Sequence, residues 1–214
     1  MPAMIDWIKA VIPCRHSKLI SGGVIIALND ESGAVDWETR RRRAVEGSHS
    51  SKVYVTSVDE SHILVDGNPS KFLQGHNVFG TNELPGLCEA FFARVCRQLE
   101  VETMLSDRRA WRRGEYRLRR VDVAESFRLG SQTEVAAWLR AAAPAVRGKH
   151  QAASAYAGET LYLGQHSRRI SLKAYNKWRE LQKHRIAPTE PPRVLRRLQL
   201  LREWSHEQVQ QVFP

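Results

Sequence analysis

One tyrosine in the last quarter of the chain stands between two lysines, in a pattern that could support nucleophilic chemistry. Tyr175 lies two residues after Lys173 and two residues before Lys177. A phenol is a weak nucleophile because its pKa is about 10, but neighbouring ammonium groups stabilise the phenolate and neutralise charge that develops on a phosphate. A tyrosine in this setting could attack a phosphate. A surface or packing tyrosine is the ordinary alternative.

The residues before this tyrosine alternate as in a β-strand. Ile170, Leu172 and Ala174 are apolar and are expected to face inward. Lys173 and Tyr175 are then expected to share the outward, open face of the strand. A helix is expected to follow, over about residues 175–185.

An earlier strand, expected over residues 116–127, places a carboxylate on a polar face. Strand alternation puts Asp122 on the same side as Arg120 and opposite to the apolar side chains. A carboxylate in this position could bind a divalent cation. An ion pair between Asp122 and Arg120 or Arg119 is the alternative.

Two histidines in Gly-flanked turns are candidates for the remaining metal ligands. None of the eight histidines lies two residues from another, so a His-hydrophobic-His pair is absent and a metal site has to combine single histidines with acids. His49 and His76 lie in turn-like settings, where functional side chains often sit. The alternative for each is a structural hydrogen bond.

The chain is basic, with 33 Lys+Arg against 23 Asp+Glu and a formal net charge of +10. This balance favours a polyanionic partner, because each neutralised phosphate releases counterions. Two basic runs, 40–43 and 108–113, fit phosphate contacts, and the tryptophan in the second run fits stacking on unpaired bases; solvated loop charge is the alternative. The predicted DNA-binding residues are Arg40, Arg41, Arg42, Arg43, Arg112, Arg113, Arg120 and Lys173.

The hydrophobic and turn patterns predict an α+β fold, in which helices pack on one face of an antiparallel β-sheet. Strands are expected over 4–12, 19–28, 35–45, 52–58, 62–66, 116–127, 159–164 and 168–174, and helices over 69–74, 82–100, 133–143, 175–185 and 194–212. Residues 1–187 are expected to form the main domain, and residues 188–214 a helical C-terminal segment. No run approaches the roughly 18 apolar residues of a membrane span, so no membrane association is expected.

Three stretches together resemble the gene II replication proteins of filamentous phages and their plasmid relatives. The first is Pro69-Ser-Lys-Phe-Leu-Gln-Gly-His-Asn-Val-Phe-Gly-Thr81, the second is Arg120-Val-Asp122, and the third is Ser167-Arg-Arg-Ile-Ser-Leu-Lys-Ala-Tyr-Asn-Lys177. The resemblance covers roughly residues 4–185. It implies a fold related to those of rolling-circle replication endonucleases.

The resemblance also implies an activity. A family member nicks one strand of duplex DNA at an origin through a tyrosine, keeps a 5′-phosphotyrosine link, and later rejoins the displaced strand into a circle. Tyr175 matches the catalytic tyrosine and Lys177 its companion. The implied cofactor is Mg²⁺ or Mn²⁺, held by Asp122 with His49 or His76. The implied partners are the origin duplex, the displaced single strand, and the host helicase and DNA polymerase, in the cytoplasm of the bacterial host.

The end of the chain departs from the family pattern. Family members usually continue into another strand and a helical region, whereas residues 204–214 match nothing in that pattern. This departure predicts a truncated or short form. It keeps a second hypothesis open: a non-catalytic regulator, derived from the same family, that binds the origin or single-stranded DNA.

Overall fold

The computed structural model describes residues 3–47, 51–148, 151–152, 154–156, 159–165, 167, 169–183 and 193–200. The strands are β1 (Met4–Pro13), β2 (Val24–Leu28), β3 (Val35–Arg40), β4 (Arg43–Glu46), β5 (Lys52–Ser57), β6 (His62–Gly67), β7 (Arg117–Arg128), β8 (Arg147–Gly148), β9 (Gln151–Ala152), β10 (Ser154–Tyr156), β11 (Thr160–Leu163), β12 (Ile170–Asn176) and β13 (Arg193–Leu200). The helices are α1 (Pro69–Gln74), α2 (Leu84–Gln98), α3 (Leu105–Arg112), α4 (Gln132–Ala145) and α5 (Lys177–Lys183). Antiparallel strands and several helices confirm the α+β class.

The chain forms two compact units. The first contains residues 3–5 and the described residues between 121 and 200, and its strands run in the order β10-β11-β12-β13-β7 with antiparallel pairing. Helix α4 packs on β10 to β13 of this sheet, and its core joins Val135 and Leu139 to Leu161 and Ala174. Ser131 caps α4, because its Oγ accepts a hydrogen bond from the Glu134 backbone N–H at 3.1 Å.

The second unit contains the described residues between 6 and 120, and its strands β1, β6, β5 and β4 pair antiparallel in that order. Its helices surround an aromatic core at Phe92, whose ring centroid lies 5.6 Å from that of Phe91, 5.9 Å from that of Trp111 and 5.3 Å from that of Tyr116. Strands β2 and β3 pair with each other as a separate two-stranded ribbon. None of the described helices is both long and apolar enough to cross a membrane.

The prediction of a helix over 194–212 is wrong for the residues that the structure describes. Residues 193–200 form β13, which pairs with β12 on one side and β7 on the other. Apolar residues in this segment also fit helical spacing, but the backbone groups of β12 and β7 need hydrogen-bond partners, and a strand between them supplies both sets. Residues 201–214, and the predicted helices there, lie outside the described residues.

Two smaller expectations are also corrected. Helix α4 was expected to end before Pro144, but it includes that residue in its last turn. The basic run at 108–113, for which loop charge was one interpretation, lies mostly in α3. The relation to rolling-circle endonuclease folds and the domain boundary near residue 187 stay predictions.

The Phe92→Ala variant is expected to lower the free energy of unfolding by about 3–5 kcal/mol, because it opens a cavity between three other aromatic rings. Denaturant unfolding followed by circular dichroism measures this change. Phe79→Ala is the matched control, since its side chain is 52% exposed, and less than about 1 kcal/mol is expected there. Equal effects in the two variants would contradict the aromatic core described above.

Candidate active site

Tyr175 lies near the end of β12. The strand register shows which residues of the neighbouring strands pair with it and so form one row across the sheet. Tyr175 pairs with position 195 of β13, which pairs in turn with Ser126 of β7. Asp122 belongs to the row of Ser171, four residues away along the strands. Residues that pair directly face the same side of a sheet, so Tyr175 and Asp122 share one face. Their rows are nevertheless about 13 Å apart.

The face that carries Tyr175 is more buried than predicted. Ala174 packs against α4, so Tyr175 points to the other side of the sheet, as strand alternation predicted. However, only 7% of Tyr175 is exposed, and its ring packs in one apolar cluster with Met4 and Ala124. The expectation of an open face is therefore wrong, and so is the inward position of Ile170, which is exposed.

Lys173 is in direct contact with the tyrosine ring. Its Nζ lies 4.6 Å from the ring centroid of Tyr175 and 5.3 Å from that of Tyr162. An ammonium group over two aromatic faces is held by cation–π attraction. Of the two lysines that flank Tyr175 in sequence, Lys173 is therefore the one in contact with its ring.

Lys177 lies at the first position of α5 and is fully buried. Its Nζ forms an ion pair with Glu180 Oε2 at 2.8 Å. The Glu180 carboxylate partly neutralises the ammonium charge. A buried cation needs such an anion nearby, because burial removes it from water. The two lysines that flank Tyr175 in sequence therefore have different environments: Lys173 contacts aromatic rings, and Lys177 contacts a carboxylate.

Asn176 is a positioning residue that the sequence interpretation missed. Its Oδ1 accepts a hydrogen bond from the Arg179 backbone N–H at 3.2 Å, which caps the start of α5. Its Nδ2 donates to Gln132 Oε1 at 2.7 Å, which links it to the start of α4. These bonds fix the backbone directly after Tyr175. An Asn immediately before a helix is a recognisable cap, and that signal was available in the sequence.

The expectation that Asp122 lies on a polar face is wrong, because this residue is fully buried on β7. Two residues along the same face lies Ala124, which belongs to the apolar cluster of Tyr175. Same-face neighbours on a strand are about 6.6 Å apart, so the tyrosine cluster extends toward the Asp122 row. The structure thus places a carboxylate and a phenol on one face of the sheet, and the row between theirs contains Lys173 and Ala124.

The predicted metal ligands are only partly described. His49 lies outside the described residues. His76 follows α1, where its Nδ1 lies 3.4 Å from Gln74 Nε2 and its ring packs edge-on against Phe79 at 6.2 Å. Within the described part of the chain, no three His, Cys, Asp or Glu side chains form a group that could hold a metal. The described residues alone therefore do not complete a metal site.

The loop that contains His76 is anchored by a buried carboxylate that the sequence interpretation did not select. Asp6 of β1 is fully buried, and its Oδ1 accepts hydrogen bonds from Asn68 Nδ2 and Asn77 Nδ2, each at 2.8 Å. Asn68 also caps α1, through its Oδ1 and the Lys71 backbone N–H. A carboxylate at a core-facing strand position was the signal for this site, because burying its charge requires donors.

The Asp6→Ala variant is expected to lower the free energy of unfolding by about 2–4 kcal/mol, because it leaves the buried amide of Asn68 and the partly buried amide of Asn77 without their shared acceptor. It should also increase proteolysis in the segment around His76. Asp36→Ala, at an exposed position of β3, is the control, and a change within about 0.5 kcal/mol is expected for it. An Asp6→Ala protein as stable and protease-resistant as wild type would contradict the anchoring role.

The arginines at 40–43 divide into two groups. Arg42 forms an ion pair with Asp66, which also accepts a hydrogen bond from Trp7 Nε1 at 2.7 Å, so this guanidinium already has a structural partner. Arg40, Arg41 and Arg43 are exposed, and none of them forms an ion pair with another described residue. These three are the better placed for phosphate contacts.

The other predicted DNA-binding residues have protein partners. Arg112 pairs with Glu89 at 3.3 Å and Arg113 with Glu115 at 2.5 Å, and both arginine side chains remain mostly exposed. Arg120 lies over the Trp7 ring, with its Cζ 5.1 Å from the centroid. The expectation that Trp111 stacks on unpaired bases is wrong. Its ring is fully buried, and its Nε1 donates to the Pro13 carbonyl at 2.9 Å.

Comparison with known proteins gives two matches. The family model described as the N-terminal region of replication-associated protein G2P matches residues 4–210. The replication-associated protein G2P of Enterobacteria phage I2-2 is 40% identical over 184 residues, which are 83% of this chain and 53% of that protein. The chain thus spans about half the length of the curated relative that it matches.

Proposed function

We propose that this chain, which belongs to the replication-associated protein G2P N-terminal family, initiates phage or plasmid DNA replication by nicking one strand at the origin. Tyr175 is the nucleophile, and the product is a 5′-phosphotyrosine link. The observation that carries the proposal is the Lys173 Nζ, 4.6 Å from the centroid of the Tyr175 ring. The relative's name concerns replication, which agrees with this role.

The proposed step exchanges one phosphodiester for another. The Tyr175 oxygen forms a bond to phosphorus as its proton leaves, and the bond from phosphorus to the 3′ oxygen breaks. The 3′ oxygen takes up a proton and becomes the hydroxyl that a polymerase extends. In the rejoining step, a 3′ hydroxyl attacks the phosphotyrosine and releases the phenol. The energy of the original bond is kept, so no nucleotide cofactor is required.

The chain's own residues supply the electrostatics of this step. Lys173 lowers the free energy of the phenolate and offers positive charge to the phosphate in the transition state. Asn176 holds the backbone after the nucleophile through its bonds to Gln132 and Arg179. Because Tyr175 is almost fully buried, DNA reaches it only at a narrow exposed edge or after its contacts with Met4 and Ala124 rearrange.

We propose in addition that the reaction uses Mg²⁺ or Mn²⁺, with Asp122, His49 and His76 as the ligands. Such a cation polarises the scissile phosphate. The burial of the Asp122 carboxylate on the face that carries Tyr175 supports this proposal. The two histidines are assigned from the family resemblance. The proposed partners are the origin duplex, the displaced strand, and the host helicase and polymerase in the bacterial cytoplasm.

The direct test is cleavage of supercoiled plasmid that carries the origin of the source replicon. With Mg²⁺ or Mn²⁺ present, we expect conversion to the nicked circle, with protein attached to the 5′ end. A plasmid without the origin is the control. Absence of cleavage over a range of both cations would contradict the nicking activity.

The burial of Tyr175 and the pairing of Lys177 with Glu180 also fit a second function. In this alternative the chain is a non-catalytic regulator that binds the origin or single-stranded DNA. It predicts a gel shift specific for origin DNA without a nick. The same plasmid preparation, analysed for binding and for cleavage, distinguishes the two functions.

A further inference from the structure

The ribbon of β2 and β3 exposes an unusual amount of apolar surface. Trp37 is 54% exposed and Ile25 is 47% exposed, and every residue of β3 is exposed. Leaving a large apolar side chain in water forgoes about 1.5–3 kcal/mol of burial. A two-stranded ribbon is also only marginally stable by itself. Exposed apolar surface on such an element indicates a binding surface.

The register divides the ribbon into two different faces. Ile25 pairs with Thr39 and Ala27 pairs with Trp37, so these four residues lie on one face. That face carries no charged side chain. The opposite face contains the pairs Val24–Arg40 and Ile26–Glu38 and is therefore charged. We refer to the face of Ile25, Ala27, Trp37 and Thr39 as the apolar ribbon face.

Backbone hydrogen bonds join the base of the ribbon to the arginine run. The Arg41 N–H donates to the Gly23 carbonyl at 2.8 Å, and the Gly22 N–H donates to the Arg41 carbonyl at 2.7 Å. Both glycines are required here: Gly23 has a φ of 117°, and a Cβ on Gly22 would lie 2.6 Å from the Arg42 carbonyl oxygen. These contacts therefore fix the backbone of the arginine run against the residues that begin the ribbon.

The exposed arginines and the exposed tryptophan of the ribbon together favour a nucleic acid as the ligand of the apolar ribbon face. Arg40, Arg41 and Arg43 are exposed and form no ion pair with another described residue. Phosphates next to these arginines would bring the bases of the same strand to the neighbouring ribbon. An exposed tryptophan is a good stacking platform, because every base has a π-face.

We propose that the apolar ribbon face binds unpaired bases of single-stranded DNA, with Trp37 stacked on a base and Arg41 and Arg43 on the adjacent phosphates. This inference rests on the proposed function, since it identifies the form of DNA that the initiator holds near the nick. A duplex fits the face poorly, because its base faces are already stacked. Its groove edges require hydrogen-bond donors and acceptors, of which this face offers only the Thr39 side chain.

The test measures affinity of the full chain for a labelled oligonucleotide of about 16 nucleotides, within the range of a single-strand-binding fold. Stacking of a base on an aromatic ring contributes about 1–3 kcal/mol, so Trp37→Ala is expected to weaken single-strand binding about 5- to 150-fold. Binding of a duplex of the same length should change less than about twofold by the same reasoning. Trp37→Phe should restore part of the single-strand affinity, because it keeps an aromatic ring.

Trp138→Ala is the matched control, since Trp138 is also partly exposed, at 43%, but lies on α4. It should leave single-strand affinity unchanged. Equal losses for Trp37→Ala and Trp138→Ala, or equal losses for single strand and duplex, would overturn the proposal. A shift from dimer to monomer in Trp37→Ala, with unchanged DNA affinity, would overturn it in favour of a contact between copies of the chain.

A second variant, Arg41→Gln, tests the phosphate contacts without changing the apolar side chains of the ribbon. Arg41→Gln should reduce the slope of log affinity against log salt by about 0.7, which corresponds to one phosphate on a single strand; an unchanged slope would contradict the phosphate contact. Failure of this inference is distinguishable from failure of nicking. If the wild-type protein cleaves the plasmid but Trp37→Ala binds single strands normally, only the ribbon proposal is rejected. If Trp37→Ala binds single strands much more weakly but the wild-type protein does not cleave, the ribbon proposal is supported and the nicking activity is rejected.

Discussion

Tyr175→Phe is expected to abolish strand cleavage and 5′ attachment, with a loss of about 10³-fold or more, because the substitution removes the attacking oxygen. The ring itself is kept, so its contacts with Met4 and Ala124 and the Lys173 ammonium should persist. Origin binding in a gel shift should therefore stay close to that of wild type. Cleavage of supercoiled origin plasmid at matched protein concentration measures the loss.

Tyr162→Phe is the matched control for this prediction. Its ring contacts the same ammonium group, at 5.3 Å from Lys173 Nζ, but it lies on the neighbouring strand β11. We expect cleavage within about threefold of wild type, since a changed ring contact there is worth less than about 1 kcal/mol. If Tyr175→Phe cleaves as fast as this control, Tyr175 is not the nucleophile.

Asp122→Asn should reduce cleavage by about 10²-fold or more at low Mn²⁺, with partial recovery as the Mn²⁺ concentration rises. The reason is that an amide of the same shape keeps the packing but removes the charge that binds the proposed cation. Initial rates over a Mn²⁺ titration give the measurement. The readout separates a cation-binding role from a structural one, because a folding defect would not respond to the cation.

Glu125→Gln on the same strand is the control for Asp122→Asn. Residue 125 faces the opposite side of β7 and is only partly buried, and its cation dependence should equal that of wild type. An Asp122→Asn protein with the wild-type rate and Mn²⁺ dependence would contradict the role proposed for this carboxylate, while leaving the role of Tyr175 intact.

Local patterns in the sequence predicted most of the elements that carry the site. The alternation of β12 placed Tyr175 on the face opposite to Ala174, and the apolar spacing within residues 82–100 placed α2. Such features depend on nearby residues alone. The identity of β13 did not follow, because it depends on pairing with two strands that are distant in the chain.

Burial was the second property that local patterns missed. Alternation states which way Tyr175 points, but not that Met4 and Ala124 pack on its ring. The same limit explains Trp111, whose neighbours in the sequence are basic while its neighbours in space are aromatic. Asp6 was missed for a related reason, since its partners Asn68 and Asn77 lie in a distant loop.

The central claim is that Tyr175 becomes covalently joined to DNA, and peptide mapping of the trapped adduct tests it most directly. Wild-type protein is incubated with Mg²⁺ and a single-stranded origin oligonucleotide that carries the cleavage site. The adduct is then digested with nuclease and trypsin and analysed by mass spectrometry. Trypsin releases Tyr175 within the four-residue peptide 174–177, between Lys173 and Lys177. We predict that the 5′ phosphate is attached to this peptide at Tyr175. Cleavage with no adduct, or with the phosphate on another residue, would contradict the mechanism.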